Sequence, residues 1–294
     1  MDFKFLQNPL TKNWVILAPR RASRPDEAKG DLSFCPFCPG SEEKEPDIYR
    51  VGGQDQDSKW QIRVIPNKFP FAPIHEVIIH SPEHDKSLEE LPNEHVELIL
   101  KTFRQRFQAH KDKGQVYIFH NHGEKAGESI PHAHTQLTVV PDEVALDIPR
   151  LAIGNELEEV AKDQAVHETE HFQLFCPKSS QWPDEVWVHP RKDSNYFGGA
   201  TDEQLLDLAV ILKRLIQIFS LRHGSEFPYN FYIYPGKDWY LRLIPRDKGL
   251  GGFEVGTGVY VNTQDPSETI EFIKKHFEEG LESEISRVDY GRGV

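Results

Sequence analysis

The sequence predicts an α+β fold built from two tandem copies of one unit, each an antiparallel sheet packed with helices. Three observations support this prediction. The order strand, helix, strand, strand occurs twice, residues 185–190 repeat the pattern of residues 76–82, and the two helices begin at nearly the same distance from the strands before them. Because 294 residues allow about two domains, we expect one domain at 1–160 and a second at 161–294.

The first copy alternates short β-type runs with one long helix. Apolar or alternating runs bounded by turn residues predict strands at 14–18, 61–65, 76–80, 115–120 and 135–140. Between Pro92 and about Lys111, apolar side chains recur at helical spacing, which predicts a helix. Residues 121–131 form the loop before the last strand. The acidic, alanine-rich stretch 141–164 is expected to connect the two copies and to contain one helical segment.

The second copy repeats this order. Strands are expected at 185–190, 229–234 and 239–245. The capping box Thr201–Gln204 opens a helix that carries leucine and isoleucine on one face. The segment 239–243, Trp-Tyr-Leu-Arg-Leu, stands where the first copy has His-Ala-His-Thr-Gln at 132–136. Only the first copy therefore keeps this group of ionisable side chains.

Composition argues against two classes of partner. The net charge of −13 is unfavourable for a nucleic-acid or anionic-membrane surface, because phosphate polymers require a basic footprint. A small phosphate ligand stays compatible, since a few arginines and backbone N–H groups can hold it. No apolar stretch is long enough to span a bilayer, and the N-terminus has no run resembling a signal peptide. With three cysteines, we expect a cytoplasmic protein without a disulfide framework.

Residues 132–136 contain the most reactive combination of side chains. In an extended strand the side chains alternate between faces, so His132, His134 and Gln136 should project from one side. Such a row offers a nucleophile, a neighbouring ligand or base, and an amide donor for developing negative charge. A solvated polar strand face is the competing interpretation, and the five residues by themselves favour it slightly.

Cys35 and Cys38 predict a metal site. Two cysteines at this spacing within a proline- and glycine-containing loop are typical of half a structural zinc knuckle. A redox pair is the alternative, but the thioredoxin-like context that such a pair needs does not follow Cys38. Cys176 lies in the second half without a neighbouring partner, so histidine is expected to complete the site. His84 and His132 are the best candidates, and the residues alone leave this choice open.

Several segments together resemble the galactose-1-phosphate uridylyltransferases, a branch of the histidine-triad superfamily. They occur in the family's order and extend over nearly the whole chain. The segments are 13–25, 35–38, 66–70, 81–84, 121–136 and 251–258. The resemblance implies two histidine-triad-like units, of which the first is catalytic and carries zinc and the second contributes to hexose binding.

The resemblance implies a ping-pong transfer of a nucleoside monophosphate, with uridine expected first, between a nucleotide sugar and a hexose 1-phosphate. His134 matches the family's nucleophile, which forms a covalent nucleotidyl-histidine. For His134 to stay neutral, its other ring nitrogen should donate a proton to a backbone carbonyl. Gln136 and Ser129 match groups that contact the phosphoryl oxygens, and the loop at Gly127 and Glu128 should supply backbone N–H groups.

Further positions acquire expected roles by the same resemblance. The matched positions are Arg21 and Arg24 near the substrate phosphates, Asn67 and Asn121 at nucleoside or phosphate contacts, and Glu254 at the hexose hydroxyls. The zinc ligands match Cys35, Cys38, His84 and His132, and the metal is expected to be structural. The family also implies a homodimer.

The chain departs from the family at positions that bear on the substrate. Lys68 stands where relatives commonly carry a carboxylate that helps to bind the nucleoside, and Tyr260 stands where they carry glutamine. Ala133 replaces the proline between the two histidines, and 239–243 lacks the histidines of a second metal site that some members have. Segment 251–258 also resembles ADP-glucose phosphorylases, which use inorganic phosphate as acceptor and form an adenylyl intermediate.

Three alternatives to uridylyl exchange stay open. One is a nucleotide-sugar phosphorylase that uses His134 with inorganic phosphate. Another is a hydrolase of the small histidine-triad type, although such enzymes are usually half this length and lack the Cys-x-x-Cys loop. The third is a zinc-stabilised nucleotide-binding module, against which the intact His134, Gln136 and Ser129 argue.

Overall fold

The computed structural model describes residues 3–24, 34–53, 59–149, 164–191 and 196–278. The strands are β1 (Lys4–Gln7), β2 (Trp14–Leu17), β3 (Tyr49–Gly52), β4 (Trp60–Pro66), β5 (Ile74–Ile79), β6 (Gln115–His122), β7 (His134–Val140), β8 (Ala165–Glu168), β9 (Phe172–Phe175), β10 (Val186–Pro190), β11 (Tyr229–Ile233) and β12 (Leu241–Pro245). The α-helices are α1 (Asn93–His110), α2 (Asp202–His223), α3 (Gly252–Thr257) and α4 (Pro266–Glu278).

Ten of these strands form one antiparallel sheet in the order β3-β4-β5-β7-β6-β11-β12-β10-β9-β8, while β1 and β2 pair as a separate hairpin. The order is symmetric about the contact between β6 and β11, because each half contributes five strands in the same relative order. In that contact, residues 118–122 pair with residues 229–233. The two antiparallel sheets expected from the repeat are therefore joined edge to edge into a single sheet.

The strands and helices expected from hydrophobic periodicity are confirmed. α1 and α2 lie at the predicted places, and the Thr201–Gln204 capping box forms as expected, with Gln204 N donating to Thr201 Oγ1 at 3.2 Å. The short strands β1, β3, β8 and β9 and the helices α3 and α4 were not predicted, and strands of four residues carry little periodicity. The domain boundary at 160 and most of the predicted helical segment of 141–164 fall in 150–163, outside the described residues, and stay predictions.

Alternation along the central strands separates two faces of the sheet. Ile78 of β5 and Leu137 and Val139 of β7 pack in the core beneath α1 and α2. His134 and Gln136 alternate with these residues and so occupy the opposite face. Within the described ranges, none of the helices is long and apolar enough to cross a membrane.

One buried carboxylate ties α2 and α4 to the second half of the sheet. The Asp184 side chain has no solvent exposure, forms an ion pair with Arg222 and accepts hydrogen bonds from His223 Nε2 at 2.8 Å, Thr269 Oγ1 at 2.8 Å and Gln264 Nε2 at 2.9 Å. Burial by itself would raise the pKa of Asp184, but these bonds and the charge of Arg222 hold it below its ordinary value. The carboxylate is thus charged and fully partnered at neutral pH.

Replacing Asp184 with alanine should lower the free energy of unfolding by about 3–5 kcal/mol, because Arg222 and His223 lose their buried counter-charge. Urea denaturation followed by circular dichroism measures the change. Glu168→Ala is the matched control: its ion pair with Arg191 lies at the surface, with both side chains 46% exposed, and should be worth about 1 kcal/mol or less. Equal losses in the two variants would contradict the structural role assigned to Asp184.

Candidate active site

His134 and Gln136 face a cavity of about 160 Å³ on the sheet face opposite the helices. Six residues singled out in the sequence line this cavity together: Arg24, Asn67, Lys68, Ser129, His134 and Gln136. Phe34, Phe37 and Ile130 supply part of its apolar wall. Apolar walls with a few converging polar groups are typical of small-molecule sites.

His134 is the first residue of β7 and is 5% exposed. Its Nδ1 lies 2.9 Å from the carbonyl oxygen of His132, which is the backbone acceptor expected from the sequence. Because a carbonyl can only accept, the ring proton belongs on Nδ1, and Nε2 keeps its lone pair. Burial lowers the pKa of His134 to about 4, although the bond to the His132 carbonyl acts in the opposite direction. The ring of Phe37 packs edge-on against it at 5.1 Å. A neutral imidazole with a defined tautomer results.

Two side chains contact the carbonyl oxygen of the Gln136 amide. His75 Nε2 lies 2.9 Å from Gln136 Oε1, and Asn67 Nδ2 lies 3.4 Å from the same oxygen. Asn67 is itself fixed, because its Oδ1 accepts a hydrogen bond of 2.9 Å from the backbone N–H of Phe69. His75 was not singled out in the sequence, because nothing near it in the chain indicated a partner 61 residues away.

The two arginines differ in their surroundings. Arg24 lines the cavity, and its charge contributes to lowering the pKa of both His134 and His75. Arg21 donates from Nη1 to the carbonyl oxygen of Phe69 at 2.5 Å, and its guanidinium lies 4.9 Å from the centre of the Phe71 ring. Arg24 is therefore the arginine that faces the cavity, and Arg21 braces the segment that forms its edge.

The loop before β7 is held by its own hydrogen bonds. The N–H of Gly127 donates to the Glu124 carbonyl at 2.9 Å, and the N–H of Glu128 donates to the Gly123 carbonyl at 3.2 Å. Both amides therefore already have acceptors within the turn, and the supply of backbone N–H groups by this loop to a phosphate stays a prediction. Asn121 braces this loop from β6, with Nδ2 lying 3.5 Å from the Gly127 carbonyl oxygen.

Two residues expected at the sugar lie outside the cavity around His134. Glu254 is in the first turn of α3 and Tyr260 follows that helix, 38% exposed and edge-on to Trp182. Their roles in hexose binding stay predictions. Lys68, which also departs from the family pattern, lines the cavity and forms an ion pair of 3.1 Å with Glu45. The sequence did not indicate a role for Glu45.

Four side chains gather into a candidate metal centre next to His134. The ligand atoms of Cys35, Cys38, His84 and His132 all lie within 4.8 Å of one another. Cys38 Sγ is 3.3 Å from His84 Nδ1 and 3.6 Å from His132 Nδ1. His132 Nε2 donates to the Ser81 carbonyl at 2.8 Å, which leaves Nδ1 unprotonated and directed at the thiols. The donor set of two sulfurs and two nitrogens fits a metal ion, and His84 and His132 are the histidines that lie beside the two cysteines.

His132 and His134 have different partners. His132 precedes β7 and turns its ring towards the cysteines, while its carbonyl accepts from His134 Nδ1. The two histidines therefore do not form one row of equivalent imidazoles. A metal-binding side chain and the acceptor that sets the His134 tautomer belong to the same residue.

The chain is similar to several known proteins. A family model described as the N-terminal domain of galactose-1-phosphate uridyl transferase matches residues 73–140, which include β5, α1, β6 and β7. A galactose-1-phosphate uridylyltransferase of Haemophilus influenzae is 30% identical over 76% of this chain and 75% of that protein. An ADP-glucose phosphorylase of Arabidopsis thaliana is 28% identical over 92% of each chain.

Solved structures show the same fold. The crystal structure of an ADP-glucose phosphorylase from Arabidopsis thaliana with bound ADP-glucose superposes with a TM-score of 0.70 at 27% identity, covering 93% of this chain and 99% of that one. A uridylyltransferase structure superposes with a TM-score of 0.74 at 21% identity, covering 92% and 97% of the two chains. The second similarity speaks for the fold alone.

Proposed function

Because this chain belongs to the galactose-1-phosphate uridylyltransferase family, we propose that it transfers a nucleoside monophosphate from a nucleotide sugar through a covalent intermediate on His134. The observation that carries the proposal is the 2.9 Å bond from His134 Nδ1 to the His132 carbonyl. It fixes the ring proton on Nδ1 and leaves the lone pair on Nε2, while burial keeps the ring neutral, and together these give the state that a nitrogen nucleophile requires at pH 7.

The transfer takes place in two displacements at one phosphorus. In the first, His134 Nε2 attacks the α-phosphorus, an N–P bond forms, and the bond from that phosphorus to the bridging oxygen breaks, releasing the sugar phosphate. In the second, a phosphate oxygen of the acceptor attacks the same phosphorus and the N–P bond breaks. Leaving and entering groups are both phosphate anions, so no strong general base is needed. Catalysis then rests on positioning and on stabilising charge.

Three cavity residues are suited to stabilise the charge on the phosphoryl oxygens. Arg24 supplies a guanidinium, Gln136 an amide N–H and Ser129 a hydroxyl, and all three line the cavity with His134. Removing one such donor typically costs about 100-fold to 1,000-fold in rate. We assign these roles on their shared position and on the family resemblance of each residue.

For the substrates, the first candidate is exchange of uridine monophosphate between a nucleotide sugar and a hexose 1-phosphate. The second candidate is phosphorolysis of ADP-glucose by inorganic phosphate. Two observations favour the second: similarity to the ADP-glucose phosphorylase runs over 92% of both chains, and Lys68, paired with Glu45, replaces the carboxylate typical of uridylyl enzymes. Both candidates use the same chemistry at His134.

Intact-mass measurement after mixing with a donor and no acceptor distinguishes these candidates. UDP-glucose, ADP-glucose and a GDP sugar are tested separately. We expect one covalent nucleotidyl adduct per chain with the preferred donor, discharged by hexose 1-phosphate or by inorganic phosphate according to the true acceptor. A uridylyl adduct supports the first candidate and an adenylyl adduct the second. No adduct from any donor would reject the transferase in favour of a binding module.

We also propose that the metal centre holds Zn²⁺ in a structural role. Two thiolates and two imidazoles are the donor set of closed tetrahedral zinc sites, and no ligand position is left for a substrate. An ion held by these four residues would keep His132 in place, and the His132 carbonyl orients His134. For assembly, we propose a homodimer on the family resemblance alone.

A further inference from the structure

The amide of Gln136 can serve a phosphoryl group in only one of its two orientations. The NH₂ end donates to an anionic oxygen, whereas the carbonyl end repels it. Because Gln136 lines the cavity beside His134, the protein must define which end faces the ligand. The hydrogen bonds that Gln136 forms with its neighbouring side chains define the orientation of its amide.

The chain of hydrogen bonds starts at a group whose direction is unambiguous. The backbone N–H of Phe69 can only donate, and it lies 2.9 Å from Asn67 Oδ1. The other end of Asn67, Nδ2, is therefore the end that points to Gln136, at 3.4 Å from Oε1. If the Gln136 amide were reversed, its NH₂ group would face the NH₂ group of Asn67. Asn67 therefore favours the orientation in which the Gln136 carbonyl oxygen faces Asn67 and the NH₂ group faces the cavity.

His75 supplies the shorter contact to the same oxygen. Its Nε2 lies 2.9 Å from Gln136 Oε1, and since that oxygen only accepts, the ring proton belongs on Nε2. The separation of 3.2 Å between His75 Nε2 and Asn67 Nδ2 is then a contact between two donors that converge on one acceptor. Nδ1 of His75 is buried without a hydrogen-bond partner among the described residues, as suits a ring that carries a single proton.

The surroundings of His75 hold it in this place. β5 and β7 pair Val77 with Gln136, so His75, two residues before Val77 in β5, lies on the same face and diagonal to Gln136. The Phe71 ring packs against the imidazole at 4.3 Å. Burial lowers the pKa of His75 to about 4, with the charges of Arg21 and Arg24 adding to the effect, while the bond to Gln136 opposes it. The ring is neutral and positioned by packing.

We propose that His75 is a positioning residue that, with Asn67, fixes the Gln136 amide with its NH₂ group directed into the cavity. The proposal rests on the proposed function, because the group to be oriented is the one that would contact the phosphoryl oxygens. His75 itself touches no substrate. Its effect is exerted only through Gln136, and this makes the proposal testable.

Single-turnover formation of the nucleotidyl adduct, followed by quenched intact-mass measurement, provides the test. His75→Asn should slow the reaction about 10-fold to 100-fold, because its shorter amide cannot reach Gln136 Oε1 and the Gln136 amide is free to reverse. The donor concentration for half-maximal rate should change little. His75→Gln should recover most of the rate, because its longer side chain returns an N–H donor to the place of Nε2.

A double-mutant cycle separates orientation from general support of the fold. In a Gln136→Ala background, His75→Asn should cause less than about a 3-fold further loss, because the group that it orients is absent. The free energy of unfolding of each variant is measured in parallel. Full additivity of the two losses, a wild-type rate in His75→Asn, or equal rates for His75→Asn and His75→Gln would each overturn the inference. Failure of the wild-type protein to form an adduct with any donor would instead overturn the proposed function on which it rests.

Discussion

Replacement of His134 by alanine should abolish the covalent nucleotidyl adduct and lower turnover by about 10⁴-fold or more. The reason is that the N–P bond cannot form without Nε2. Among the described residues that line the cavity, no other side chain is a comparable nucleophile, since Lys68 is held in an ion pair with Glu45. The measurement is intact mass after incubation with the donor that labels the wild-type protein, together with the steady-state rate. Binding of the nucleotide sugar should persist, because Arg24, Asn67 and Ser129 are retained.

A second histidine provides the control for this variant. His189 lies in β10, four strands from β7 in the sheet, and His189→Ala should keep the adduct and a near wild-type rate. An adduct of undiminished yield on His134→Ala would show that the nucleotide is carried elsewhere. Peptide mapping of the labelled wild-type protein locates the modified residue in that case.

Replacement of Cys38 by serine should release the metal and destabilise the first half of the chain. Cys38 Sγ approaches both histidines of the centre, so its loss removes the thiolate nearest to two other ligands. Structural zinc sites bind with about 10–16 kcal/mol, and much of this energy becomes folding free energy. We expect about one zinc per wild-type chain by elemental analysis, a clear loss of zinc in the variant, and a lower unfolding midpoint.

The third cysteine provides the matched control. Cys176 is buried in the core on the second half and belongs to no metal group among the described residues, so Cys176→Ala should keep its zinc. A chelator should lower the wild-type midpoint towards that of Cys38→Ser and leave that variant unchanged. Equal zinc content in wild type and Cys38→Ser would contradict the site. Because the His132 carbonyl orients His134, loss of the metal should also slow adduct formation.

The parts of the fold that the sequence predicted share a local cause. The helices at α1 and α2 follow from apolar spacing, and the start of α2 follows from Thr201 and Gln204, whose mutual hydrogen bonds involve residues three apart. The central strands follow from alternation and from turn residues at their ends. The joining of two sheets through β6 and β11 was not predictable in this way, because edge pairing depends on which strands meet in space.

For the candidate site, too, local patterns were predictable and long-range contacts were not. The sequence by itself determined which reactive groups are present: the Cys35–Cys38 spacing, the paired histidines and Gln136 are local patterns that can be identified without the rest of the chain. Only the tertiary structure decided that His84 and His132 lie beside the two cysteines, that Gly127 and Glu128 use their amides within the turn, and that His75 contacts Gln136. The physical reason is that strand register and long-range packing set distances between side chains, while the order of residues sets only which chemical groups are present.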